Sequence, residues 1–274
     1  MKFLTKVILG TAILSNLVLG DGNTSSLIST AALTTEQGAI ISDKKLLYLA
    51  KDFHTMATLP GFSLGAPSGL VPGWGVMFGG VSVVTNREDT DGALAMGFGF
   101  GDPFELLGGA ATLGIGSIDP RDGGAFNRGA LNLTVGHHFK KYTLGTAVGV
   151  TGIDLWHEEG KDELDPSFYG SVTKLFSNDI VPITVTAGLG NNGYVDVKKS
   201  GDRKKKVDGF GAVAFYLLPQ MSMIVDYTMG ITTAGISVVP FPDYPININL
   251  GATDIFEEAH DVAFLASVSA AYVF

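Results

Sequence analysis

The chain has no cysteine, carries charge on only 16% of its residues, and has no long apolar run beyond its first twenty positions. Without cysteine there is no disulfide staple, so stability must come from hydrogen-bonded backbone and burial. Without a second apolar run of about 18 residues, no spanning helix is available. Within the longest uncharged stretch, residues 61–85 hold Pro67, Pro72 and seven glycines, which break helices. A net charge of −9 disfavours sequence-independent binding of nucleic acid.

What is there reads differently. The chain opens with Lys2 and Lys6, an apolar stretch from Val7 to Leu14, and small residues ending at Gly20. Residues 1–20 are therefore expected to be a signal peptide directing export. Hydrophobic residues make up 46% of the chain and glycine contributes 37 positions. Sparse charge with this much apolar surface suits a wall that faces lipid.

From residue 73 onward, apolar and polar residues alternate with period two. Leu131, Leu133, Val135, His137 and Phe139 interleave with Asn132, Thr134, Gly136, His138 and Lys140. The same holds for Ile183 to Gly190 and for Ile246 to Thr253. A helix scatters such residues around its circumference, whereas a strand separates them onto two faces. Twelve strands are predicted, at 73–85, 91–101, 104–118, 127–140, 142–156, 165–176, 181–191, 207–218, 221–229, 232–240, 245–254 and 261–274. Their lengths suit tilted strands crossing a bilayer, and an even number lets an antiparallel sheet close. With one exception, Gly230–Ile231, odd-numbered connections are longer and more charged than even-numbered ones. That sorting fits short periplasmic turns and long external loops, with both termini in the periplasm.

The last strand ends in an aromatic residue, with Val268, Ala270, Tyr272 and Phe274 on one face and Ser267 and Ser269 on the other. This resembles the closing strand of bacterial outer-membrane β-barrels. The resemblance covers 73–274 and implies a closed antiparallel transmembrane barrel in an all-β fold. It also implies that Val268, Ala270, Tyr272 and Phe274 form an insertion signal read by the barrel-insertion machinery. Outer-membrane lipids, lipopolysaccharide and small solutes are the partners expected of such a barrel.

Residues 21–72 depart from the pattern. Positions 21–35 are rich in small polar residues, and 36–56 read as a helix with Leu46, Leu49, Ala50 and Phe53 at helical spacing. Prolines and glycines make 59–73 an irregular connector. Alternation places Asn132, Thr134, His138, Thr143, Thr151, Thr184, Thr186, Ser222, Asp226, Thr228, Asn247, Asn249, Ser267 and Ser269 on the inner face. Such a lumen is polar but nearly uncharged, with Asp226 its main fixed charge. Ala95, Gly97, Gly99, Ala110, Gly114, Gly136, Gly145, Ala147 and Gly149 form a contiguous inner wall of small residues. Glycine within a strand often marks the close approach of another backbone or a ligand. The helix 36–56 is therefore a candidate plug against that wall.

No catalytic or metal site emerges. His137 and His138 are adjacent strand residues that face opposite ways and cannot share one ion. The acidic loop with Glu158, Glu159, Asp162, Glu163 and Asp165 lacks EF-hand spacing. The basic cluster Lys198, Lys199, Arg203, Lys204, Lys205 and Lys206 suits a solvated loop or contact with lipopolysaccharide phosphates. The outer-membrane phospholipase pattern of Ser, His and Asn is not visible. No cofactor is expected, and the chain is not expected to be an enzyme. The expected function is porin-like passive passage of small solutes, restricted by the N-terminal helix. The alternatives are a closed-lumen structural or surface-interaction barrel and an outer-membrane lipid enzyme.

Overall fold

Period-two sequence becomes a ladder that rolls shut. The structure, a computed structural model, describes residues 14–15, 28–29, 59–85, 90–116, 126, 128–158, 164–176, 181–198, 206–257 and 261–274. Its twelve long strands are β1 (Val76–Thr85), β2 (Thr90–Gly101), β3 (Gly108–Gly116), β4 (Arg128–Phe139), β5 (Leu144–Trp156) and β6 (Ser167–Phe176). They continue as β7 (Ile183–Asn191), β8 (Val207–Leu218), β9 (Met221–Thr228), β10 (Ile231–Val238), β11 (Ile246–Thr253) and β12 (Ala263–Val273). Each pairs antiparallel with the next, and β12 pairs with β1 from Phe264↔Thr85 to Val273↔Val76, which closes the barrel. Closure leaves no strand edge unpaired. Ahead of the barrel, Leu14–Ser15 pairs with Ile28–Ser29.

Two unlike surfaces pin the register. In β12, Phe264, Val268 and Tyr272 are exposed, while Leu265, Ser267, Ser269 and Ala271 are buried. Elsewhere Met77, Met96, Phe98, Val148, Val172, Leu189, Met223, Val225 and Leu250 add to the exposed apolar surface. A one-residue slip would exchange the faces along a whole strand. The exterior is thus an apolar belt and the interior a mixture of hydroxyl, amide and small apolar side chains.

Local chemistry moves two predicted boundaries. The third strand starts at Gly108 and not at 104, because Asp102 Oδ1 accepts the N–H groups of Phe104 and Glu105 in a turn around Pro103. The fifth starts at Leu144 and not at 142. Lys140–Tyr142 form a 3-10 turn and Thr143 takes a left-handed conformation (φ 48°). Between β4 and β5, Leu131 pairs with Ile153 but Leu133 pairs with Val150, a bulge whose extra residue falls at Gly152 (φ 73°). The helix predicted over 36–56, with Leu46, Leu49, Ala50 and Phe53, lies outside the described residues, as does most of the basic loop.

Candidate functional site

Every residue from 59 to 73 is buried, although the segment has no regular structure. This tongue enters the barrel at the rim where β1 begins, rises into the lumen, and descends to the same rim to become β1. Its path follows from its partners. Leu59 O accepts from Asn247 Nδ2 (3.1 Å), Gly61 N–H donates to Ser237 Oγ (2.6 Å), and the Ser222 hydroxyl donates to Gly61 O. These wall residues lie near one end of β9, β10 and β11.

The apex sits on Asp226. Its Oδ2 accepts from Ser63 Oγ (2.8 Å) and from the backbone N–H groups of Leu64 (2.9 Å), Gly65 (2.8 Å) and Ala66 (2.9 Å). Thr228 Oγ1 donates to the other oxygen at 2.9 Å. Successive backbone N–H groups turned to one side make a concave anion cradle. Asp226 is 2% exposed, so these donors replace the water that a buried carboxylate needs.

On the way down, Gly69 N–H donates to Thr173 Oγ1 (2.8 Å) and Val71 N–H donates to His138 Nε2 (2.9 Å). Because Nε2 accepts, the ring is neutral there and carries its proton on Nδ1, a buried atom with no hydrogen-bond partner among the described residues. The Phe104 ring meets His138 edge-on at 4.9 Å. Apolar groups reinforce the seat: Leu59, Phe62, Leu64 and Leu70 pack with Val84, Ala93, Ala95, Ala214, Tyr216, Ile224 and Leu265.

The small-residue wall divides into two kinds of contact. A Cβ on Gly145 would lie 2.6 Å from Gly69 O, one on Gly136 3.0 Å from Val71 Cγ1, and one on Gly99 2.9 Å from Pro72 Cβ. These glycines make room for the tongue. Gly97 and Gly149 instead make room for the Phe78 and Tyr169 rings, 2.6 Å and 2.5 Å from the positions their Cβ atoms would occupy. Ala95, Ala110 and Ala147 are buried on the same wall.

Of the residues predicted to face inward, Asn132, His138, Thr151, Thr184, Thr186, Ser222, Asp226, Thr228, Asn247, Asn249, Ser267 and Ser269 are buried. Thr134 and Thr143 are half-buried. Thr143 belongs to the turn and donates to Leu175 O (2.7 Å). Five of the set engage the tongue or clasp Asp226: His138, Ser222, Asp226, Thr228 and Asn247. Others serve the wall itself: Asn132 accepts from Gly152 N–H (2.8 Å), Thr186 bonds Thr173 (2.8 Å), and Asn249 donates to Ser267 (2.9 Å). Thr173 and Ser237 hold the tongue but were not singled out from sequence, although alternation on β6 and β10 puts both inside. Val268, Ala270, Tyr272 and Phe274 are exposed, and the Phe274 ring stands edge-on to Trp74 at 6.4 Å.

Above the apex, three aromatic rings project into the lumen. Asn192–Tyr194 form a 3-10 turn that folds inward, and Tyr194 packs with Tyr169 (5.5 Å) and Phe210 (5.3 Å) beside Ala66. Burial, with the Tyr169 phenol adding to it, pushes the Tyr194 hydroxyl well above its usual range. It stays neutral and bonds Thr151 Oγ1 at 3.2 Å. The tongue thus occupies the lumen from one rim, and an aromatic cluster enters it from the other.

Remaining polar clusters are modest. His157 Nδ1 lies 2.6 Å from Asp154 Oδ2, and His137 Nδ1 lies 2.8 Å from Leu106 O. Among the described residues no group of three His, Cys, Asp or Glu side chains is arranged to hold a metal.

No family model and no curated protein matches the chain. Among solved structures, an outer membrane channel from Pseudomonas putida F1 is similar at 9% identity and a TM-score of 0.46, over 73% of this chain and 96% of that one. The outer membrane channel DcaP of Acinetobacter baumannii is similar at 14% identity and a TM-score of 0.28, over 73% of this chain and 72% of that one. The barrel assignment itself rests on the closed strand register of this chain.

Proposed function

We propose that this protein is an outer-membrane barrel, with both termini in the periplasm, that passes small solutes through a lumen held shut by the 59–73 tongue. The apolar belt supports the membrane setting, since a soluble barrel would gain nothing from exposing Phe98, Val148, Leu189 and Phe264 together. The observation that carries the gate is the convergence of Ser63 and three backbone N–H groups on Asp226. The wall groups that grip the tongue (Ser222, Asp226, Ser237, Asn247, Thr173 and His138) are polar side chains that water can satisfy once the tongue leaves. Among the described residues the tongue is covalently tied to the wall only where it becomes β1, so it can swing out without opening a strand pair.

A second reading has its own support. Phe62 and Leu64 are only 2% and 1% exposed and pack on Tyr216 and Ile224, which favours a permanently sealed barrel with a structural or surface role. Single-channel recording of the reconstituted full-length chain separates the two. The gated channel shows long closed intervals broken by discrete openings that lengthen when the seat is weakened. The sealed barrel is silent in both.

A further inference from the structure

Asp226 is a buried carboxylate whose contacts all come from neutral donors. Oδ2 takes four hydrogen bonds from the tongue and Oδ1 takes one from Thr228. No lysine, arginine or histidine pairs with it among the described residues. On the flanking strands its register partners are Ala212 and Thr233, and the next inward residue on its own strand is the fully buried Ile224. Once the tongue is out, the wall therefore presents one carboxylate with two threonine hydroxyls, bordered by small and branched apolar groups. The tongue apex that fills this place is itself a cluster of hydrogen-bond donors flanked by Phe62 and Leu64.

We infer that the Asp226 niche is a binding point for a small apolar amine, a primary ammonium carrying a hydrocarbon body, and that the tongue apex is its built-in competitor. The inference rests on the gated-channel reading and names the class of solute. A primary ammonium offers three donors against the four of the apex, and adds a full positive charge, which makes each hydrogen bond to a carboxylate stronger. Its hydrocarbon body would lie where Leu64 now lies, against Ile224. An anion of the same shape meets the carboxylate with like charge and gains none of these contacts.

The test uses the full chain with the tongue unseated by Gly69→Leu, phenethylammonium as probe and phenylacetate as its anionic counterpart. The expected result is a cation-selective reversal potential in asymmetric potassium chloride, with current blocked by phenethylammonium and not by phenylacetate. Block weakens roughly tenfold or more in Gly69→Leu/Asp226→Asn. A conducting channel with no cation preference, with equal block by both probes, or with block unaffected by Asp226→Asn overturns the inference and leaves the gate standing. A silent channel overturns both. Independently of conduction, Ser68→Cys in the otherwise native chain should react faster with an impermeant maleimide when phenethylammonium is present, and not with phenylacetate. An unchanged rate also overturns the inference.

Discussion

Gly69 is where the tongue runs closest to the wall, and replacing it is the sharpest perturbation available. A Cβ at this position would lie 2.6 Å from Thr173 N and closer still to the Gly145 carbonyl oxygen. Both are backbone atoms of paired strands, since Gly145 and Thr173 are register partners in β5 and β6. The wall cannot yield without breaking the ladder, so the tongue must lift. Lifting forfeits the Gly69 N–H to Thr173 bond, worth about 0.5–1.5 kcal/mol, and the burial of Leu70, worth about 1.5–3 kcal/mol. Together these are about 2–4.5 kcal/mol, a shift of the closed-to-open ratio of roughly 30- to 1,600-fold at 1.4 kcal/mol per tenfold. Because the clash begins at Cβ, Gly69→Ala should behave almost as Gly69→Leu does. Gly170→Ala, whose Cβ would meet only ordinary contacts at 3.9 Å, should change nothing. Open probability in planar bilayers reads the shift, and heat-modifiable migration on gels confirms that the barrel is folded. A folded Gly69→Leu barrel with wild-type open probability would refute the seat.

Three further outcomes follow from other parts of the structure. Val148 is 58% exposed on the outer face of β5, so Val148→Lys should destabilise the barrel in liposomes by about 2–4 kcal/mol in urea titrations. Val207→Lys, at the strand end, should cost about 0–1 kcal/mol, and equal effects at the two sites would argue against a bilayer belt. His138→Leu leaves the buried Val71 N–H without its acceptor, a cost of about 1–3 kcal/mol that should raise open probability by roughly 5- to 150-fold. His138→Gln, which keeps an acceptor, should restore much of the closed state. Phe274→Ala should lower the fraction of folded protein recovered in outer-membrane preparations while leaving purified, refolded barrel as stable as wild type within about 0.5 kcal/mol, since the ring is exposed.

The barrel was legible because strands advertise themselves twice, by period-two alternation and by the sorting of their connections. Leu131 to Lys140 and Ile183 to Gly190 carry that signal, and the lumen residues drawn from it are buried, apart from the half-buried Thr134 and Thr143. The boundaries missed at 104 and 142 are turn chemistry, an Asp102 side chain and a left-handed Thr143, which alternation does not encode. The tongue left a weaker trace. The glycines at 99, 136 and 145 did announce a close neighbour, but the neighbour is the Pro-Gly connector itself. A connector has no periodicity to reveal which way it faces. Its one available signal was that no residue from Leu59 to Gly73 is charged, which is unusual for a segment in water. Thr173 and Ser237 stayed unnoticed because hydroxyls inside a polar lumen look alike until a backbone N–H arrives to meet them.

A reversible lock tests the central claim most directly. Ser68 Oγ and Thr173 Oγ1 stand 3.4 Å apart and the chain has no cysteine, so Ser68→Cys/Thr173→Cys introduces a single disulfide between tongue and wall. A movable tongue predicts a silent channel when the disulfide is formed and discrete openings in the same membrane after reduction. Openings that persist with the disulfide intact, or silence in both redox states, would contradict a lumen gated by residues 59–73.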